Sequence, residues 1–202
     1  MRKIGIISCS TNNLFSVSNV FKELNCLPII SNTKEKLLEC DILVLPGVGA
    51  FNIAMQNLKA QGLDVTIHDF IKTGKFFLGI CLGFQLLFEE SDEFTKTSGL
   101  GLIKGKVKAF DKKKLIVPHI GWNNVRELQK NSLIENKMNK FYFIHSFFAE
   151  PNNKKNILYQ TEYNKFFFCS GVKKDNIFGT QFHPEKSGKN GINFLKNLLN
   201  ES

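Results

Sequence analysis

Phe76-Phe77-Leu78-Gly79-Ile80-Cys81-Leu82-Gly83-Phe84-Gln85-Leu86-Leu87-Phe88-Glu89-Glu90 joins an apolar run, a cysteine between two glycines and an apolar-periodic segment. The run Phe76–Ile80 has the make-up of a strand buried on both faces, as in a parallel sheet. Leu82–Glu90 reads as the helix that follows it. Cys81 then falls on a tight strand-to-helix turn, where Gly79 and Gly83 leave room for a strained backbone and for close helix packing. A cysteine there lies near free N–H groups and the positive end of a helix dipole, and both favour the thiolate. A lone cysteine is more often a small buried apolar residue. The glycines and the strand–helix frame make Cys81 a candidate nucleophile.

A base and its orienting group lie far along the chain, in Gln181-Phe182-His183-Pro184-Glu185. Ile177–Phe182 is strand-like, and Pro184 ends it and stiffens the turn. Glu185 can accept from the imidazole of His183, fixing its tautomer and orientation. By itself the string is no more than a strand-end histidine beside a solvated glutamate. With Cys81 it completes the set that covalent acyl transfer requires.

Outward from the elbow, the first half alternates strand and helix. Lys3–Ser8, Pro28–Ser31 and Asp41–Leu45 read as strands, the last ended by Pro46. Asn13–Asn25, Thr33–Glu39 (capped by Asn32 or Thr33), Phe51–Lys59 and Leu63–Lys72 read as helices. That alternation predicts a parallel sheet covered on both faces. After Gly99 the pattern turns to strands: Gly101–Phe110, Leu115–His119, Lys140–Phe147, Ile157–Glu162, Lys165–Val172 and Ile177–Phe182. Ser91–Ser98 and Pro151–Lys155 read as polar loops, and Ser187–Leu199 as a closing helix. Cys81 and His183 can meet only if the two halves fold together, so residues 1–202 are read as one domain.

Further candidates follow from placement. Pro46-Gly47-Val48-Gly49 lies at a strand's carboxyl end, where open parallel sheets bind ligands. With the N–H of Leu82, the Val48–Gly49 turn offers two donors for an oxyanion hole. Gln85 is one helical turn beyond Cys81 and can read an amide or amino-acid head group. His145, in Tyr142-Phe143-Ile144-His145-Ser146, is an alternative base without a closely following carboxylate. Trp122, the single tryptophan, sits in Pro118-His119-Ile120-Gly121-Trp122-Asn123 and reads as a loop residue at an interface or pocket rim.

The chain carries 27 Lys+Arg and 18 Asp+Glu, a net charge of +9. The basic residues are dispersed. The densest group, Lys104 to Lys114, alternates as the solvated face of a strand before a basic turn, and no nucleic-acid signature accompanies it. An anionic substrate or acidic partner fits better. No stretch is long and apolar enough to span a membrane, and the N-terminus reads as a first strand rather than a signal peptide. Five scattered cysteines without a C-x-x-C pair suggest neither a disulfide framework nor a zinc site. A cytoplasmic location follows.

These strings resemble the class I (triad) glutamine amidotransferases. Pro46-Gly47-Val48-Gly49-Ala50-Phe51, Leu86-Leu87-Phe88-Glu89-Glu90-Ser91 and the segments at 118–123 and 142–146 narrow the resemblance to glutaminase subunits of imidazole glycerol phosphate synthase. The resemblance implies a flavodoxin-like fold and glutamine hydrolysis by Cys81, His183 and Glu185, with Val48, Gly49 and Leu82 at the oxyanion hole. Gly47, Gln85, His145 and Ser146 would bind L-glutamine. Asn13, Trp122, Tyr142 and Lys186 would face a (β/α)8-barrel synthase subunit, to which ammonia passes for histidine biosynthesis. No metal or organic cofactor is implied. The family's first loop usually reads Asp-Tyr-Gly-x-Gly-Asn-Leu-Arg-Ser-Val, whereas this chain has Ser8-Cys9-Ser10-Thr11-Asn12-Asn13-Leu14-Phe15-Ser16-Val17. A Tyr-Tyr pair is replaced by Phe147-Phe148. These are partner-side departures, and they leave open a paralogous role supplying ammonia for amidation of a bacterial surface sugar.

Overall fold

A computed structural model describes residues 1–9, 13–129, 133–134 and 140–201. Ser10, Thr11 and Asn12 of the divergent first loop lie outside the described residues. The first half contains β1 (Lys3–Ile7), α1 (Leu14–Glu23), β2 (Leu27–Ser31), α2 (Lys34–Leu38), β3 (Ile42–Gly47), α3 (Phe51–Ala60), α4 (Leu63–Lys72), β4 (Phe76–Cys81) and α5 (Leu82–Gln85). The second half supplies β5 (Phe88–Ser91), β6 (Thr97–Ser98), β7 (Ile103–Ala109), β8 (His119–Glu127), β9 (Lys140–His145), β10 (Phe147–Pro151), β11 (Ile157–Tyr163), β12 (Phe166–Lys174), β13 (Ile177–Thr180) and α6 (Gly188–Glu201).

Strands β2, β1, β3, β4 and β13 lie side by side and parallel, the flavodoxin-like order. Beyond β13 the sheet continues through β12, β10, β7, β5 and β6, largely antiparallel. Both faces of the parallel part are covered, and the side chains show it with a period of two. Ile42 and Val44 of β3 join an apolar cluster with α1 and α6, while Leu43 and Leu45 join a second cluster with α3 and α4.

Several sequence expectations are corrected by pairing with distant segments. The helix expected over Leu82–Glu90 stops at Gln85, and Phe88–Ser91 is a strand. Its apolar periodicity suits either state, and pairing of Phe88 with Ile103 and of Ser91 with Val107 decides for the strand. Pro46 does not end β3, which runs on to Gly47 opposite Cys81. The ladder between β3 and β1 ends at Val44, so the proline's missing N–H leaves no bond unmade on that side. Leu115–Pro118 is irregular and β8 begins at His119, so Trp122 is a strand residue paired with Tyr142 and not a loop residue.

The single strand expected over Lys140–Phe147 breaks at Ser146 because its halves serve different neighbours: β9 pairs with β8, and β10 with β7 and β12. The two polar stretches expected as loops each contain strand, at Thr97–Ser98 and at Pro151. Thr33 stands at the start of α2 but its side chain makes no capping bond. Strand β13 stops at Thr180, and Pro184 opens a 3-10 turn over Pro184–Lys186 instead of ending the strand.

The elbow itself is closely packed. A Cβ on Gly83 would lie 1.8 Å from the Leu45 carbonyl oxygen, and one on Gly79 would lie 2.6 Å from the Gly83 oxygen. Gly83→Ala therefore forces α5 off β3. We expect it to cost about 3 kcal/mol of stability, the upper range for an added core methyl, read as a lower urea midpoint with unchanged slope. An unmoved midpoint would mean that the elbow has slack.

Candidate active site

Cys81 ends β4 with φ 55° and ψ −106°, a strained conformation for a residue with a side chain. Two constraints impose it: the β4 ladder holds the residue to Gly47, and the Gly79–Gly83 contact turns α5 sharply back. The Cys81 sulfur lies 3.8 Å from the Ile144 carbonyl oxygen and 3.7 Å from the Gln181 side-chain nitrogen.

His183 is delivered from the far side by aromatic packing. Phe182 is fully buried, its ring 4.3 Å from that of Phe141 and 5.5 Å from that of Phe194. The His183 N–H donates to the Tyr142 carbonyl at 2.9 Å, and the Ser187 hydroxyl donates to the His183 carbonyl at 2.6 Å. The backbone is thus clamped on both sides. Its Nδ1 lies 2.7 Å from Glu185 Oε1, in a pair that is almost wholly buried. Its Nε2 has no hydrogen-bond partner among the described residues and is left to the Cys81 side. Burial opposes a charge on this ring, but the nearby Cys81 sulfur and then Glu185 outweigh it and push the imidazole up to about 10. Asn13 Nδ2 donates to Glu185 Oε1 at 2.5 Å, whereas Glu185 Oε2 is buried without a partner among the described residues.

Beside Cys81 opens a cavity of about 280 Å³, suited to a ligand of amino-acid size. Val48, Gly49, Leu82, Gln85, His145 and Ser146 all line it, as does Cys81. Gly49 has φ 104°, a conformation that only glycine adopts easily, and it gives the turn its freedom. Gly47 is not among the lining residues. It lies beneath them, where an added Cβ would come within 3.0 Å of Leu82 Cβ, so it is a packing position. The amide nitrogen of Gln85 donates to the Phe147 carbonyl and to Gln181 Oε1, each at 2.9 Å.

His145 is not placed as a base. Its Nδ1 donates to the Phe147 carbonyl at 2.7 Å, and its Nε2 is 2.9 Å from His119. Burial pushes the ring down to about 3, so it is neutral and both nitrogens are engaged. The sequence reading missed Glu93, which lay in a stretch read as a polar loop. This carboxylate is buried at the cavity wall, where Oε2 accepts from the Phe51 N–H at 2.9 Å. Burial raises its pKa, and the Phe51 bond offsets part of that. Its local sequence gave no signal, since burial comes from α3 folding over it.

Of the four partner-side candidates, scattered in sequence, Asn13, Tyr142 and Lys186 adjoin the His183–Glu185 pair, and Trp122 adjoins Tyr142. Asn13 binds Glu185, and Lys186 is exposed immediately after it. The Tyr142 ring lies 6.4 Å from that of His183 and 5.9 Å from that of Trp122. On the same strands Ile120 and Ile144, paired opposite each other, are 56% and 40% exposed, and Trp122 is 53% exposed. This is an apolar face beside the cavity.

The sequence pattern of the family described as "Glutamine amidotransferase class-I" matches residues 7–201. The chain belongs to the class I glutamine amidotransferases. It is an enzyme of that family, with full-length relatives named "Imidazole glycerol phosphate synthase subunit HisH". The protein of Methanocaldococcus jannaschii is 46% identical, covering 97% of this chain and 98% of its own length. That of Sulfurimonas denitrificans is 44% identical over 96% of each chain, and that of Bacillus subtilis 42% identical over 95% and 93%. Among solved structures, PurLQS from Thermotoga maritima superposes on this amidotransferase with a TM-score of 0.77 over 99% and 98% of the chains. At 17% identity that likeness speaks for the fold alone. No helix among the described residues of this amidotransferase is long and apolar enough to cross a membrane.

Proposed function

We propose that this amidotransferase hydrolyses L-glutamine at Cys81 and passes the ammonia to a (β/α)8-barrel synthase subunit that makes imidazole glycerol phosphate for histidine biosynthesis. One observation carries the chemistry: a strained cysteine beside an amino-acid-sized cavity, with a buried, charge-favoured His183–Glu185 pair on its other side.

In this reading the Cys81 thiolate attacks the side-chain carbonyl of glutamine, forming a C–S bond. The Leu82 N–H and the Val48–Gly49 turn hold the oxyanion. The His183 imidazolium protonates the departing nitrogen, the C–N bond breaks, and ammonia leaves a glutamyl thioester. Water, deprotonated by His183, then releases glutamate and regenerates the thiolate. Glu185 fixes the ring throughout. Gln85 and Glu93 face the amino-acid head group, and Glu93 offers its ammonium a buried counter-charge.

The apolar face of Ile120, Trp122 and Ile144 is the proposed seat of the barrel, because it adjoins both the cavity and the Asn13–Glu185 contact. The isolated chain is then a weak glutaminase that the ligand-bound barrel accelerates at least tenfold, by an order-of-magnitude expectation for coupled sites. A glutaminase assay with and without the barrel reads this, and full turnover by the free chain would remove the coupling. The relatives' shared name favours the histidine pathway over surface-sugar amidation. Supplied with its cognate barrel, the gene rescues a histidine auxotroph lacking its glutaminase subunit. No rescue despite normal glutaminase activity would point to the sugar acceptor. We place the protein in the cytoplasm, a reducing compartment compatible with its five scattered cysteines.

A further inference from the structure

We infer that Gln181 is a further catalytic residue, whose side-chain N–H donates to the Cys81 thiolate. The inference rests on Cys81 being the nucleophile. Gln181 is fully buried, and its backbone N–H is fixed to the Ser170 carbonyl at 3.0 Å.

The polarity of its amide follows from a single backbone group. The Phe147 carbonyl can only accept, so the end of the Gln85 amide lying 2.9 Å from it is the nitrogen. That same nitrogen lies 2.9 Å from the Gln181 amide. Two NH2 groups facing each other would repel, so this end of Gln181 is the oxygen. The other end, 3.7 Å from the Cys81 sulfur, must then be the nitrogen. A flip of either amide would break this chain. Gln85, with its nitrogen committed twice, keeps only Oε1 for a ligand.

The two groups near the sulfur favour opposite protonation states. The Ile144 carbonyl, 3.8 Å away, can take the S–H of a thiol but opposes a thiolate. The Gln181 N–H favours the thiolate. A hydrogen bond to the charged form stabilises it, and the effect is enlarged in a buried site. Gln181 thus joins the nucleophile to the head-group end of the cavity in one rigid amide chain.

The test is the pH profile of Cys81 alkylation by iodoacetamide, followed by peptide mass mapping, in the full-length chain and its Q181L and Q181E variants. Both variants move the profile to higher pH, with an alkylation rate near neutrality lower by about tenfold, equivalent to one pH unit. In Q181E one carboxylate oxygen still accepts from Gln85 while the other faces the sulfur. Its KM for glutamine stays near wild type and kcat falls. Q181L loses both contacts, so KM rises as well. Gln85→Leu frees the Gln181 amide and displaces the profile in the same direction but less, which provides a readout should burial of a charge in Q181E prevent folding. Folded Q181L and Q85L chains whose profiles overlie wild type would overturn the inference. A wild-type chain in which Cys81 reacts no faster than Cys169 would overturn the nucleophile assignment and the inference with it.

Discussion

Cys81→Ala is expected to lower glutamine-dependent turnover by about 10⁴-fold or more, the scale seen when a covalent nucleophile is removed. No other group can replace the sulfur. Among the described residues that line the cavity, Cys81 alone carries a thiol, and the other cysteines are buried elsewhere. The change removes one atom at a position held by the β3–β4 ladder and the Gly79–Gly83 contact, so the fold and partner binding are retained. With the barrel present, the variant still makes product from ammonium salts, because only the supply of ammonia is lost. Thermal melting coincident with wild type, together with ammonia-dependent activity, would separate chemistry from misfolding. Glutaminase activity near wild type in the Ala variant would eliminate Cys81 as the nucleophile.

His183→Ala is expected to lower turnover by about 10³-fold or more, as for loss of a base that works as a unit with its nucleophile. His145→Ala should cost far less per folded molecule. His183 Nε2 has no hydrogen-bond partner among the described residues and Nδ1 meets a carboxylate, while both nitrogens of His145 are taken and its ring is held neutral. The pH profile carries a sign. Neighbouring charge raises the His183 ring, so the imidazolium is present across neutral pH and activity declines as pH rises through about 10. The stability that the charged pair contributes follows the same limb. It is full below the ordinary histidine range and is lost as pH rises through about 10. A profile falling toward neutrality from the alkaline side, or a greater loss from His145→Ala than from His183→Ala, would reverse the assignment.

The legibility of this protein divides by sequence distance. The elbow was readable because its parts are adjacent: an apolar run, a cysteine and two glycines within one turn require no remote partner to be recognised. The parallel half was readable for the same reason, since each strand buried on both faces and each amphipathic helix carries its own period. The His183–Glu185 pair was readable because two residues of spacing let one side chain orient the other. Where the reading failed, a distant segment decided the state. Phe88–Ser91 carries helical periodicity yet is a strand because β7 pairs with it. Trp122 is fixed in a strand by Tyr142.

The chemistry available to this chain is written in local sequence: an elbow cysteine, a histidine with its own carboxylate, and a doubly wound sheet to carry them. How those groups are charged and constrained depends on contacts made by the folded chain. Burial against aromatic rings keeps His145 neutral, while the approach of Cys81 and Glu185 favours the charged form of His183. The fold brings Glu93 to the cavity wall, Asn13 to Glu185 and the Gln181 amide to the sulfur. Charge state and hydrogen-bond polarity depend on which atoms surround a group and how little water does, and those neighbours come from segments that no local pattern connects.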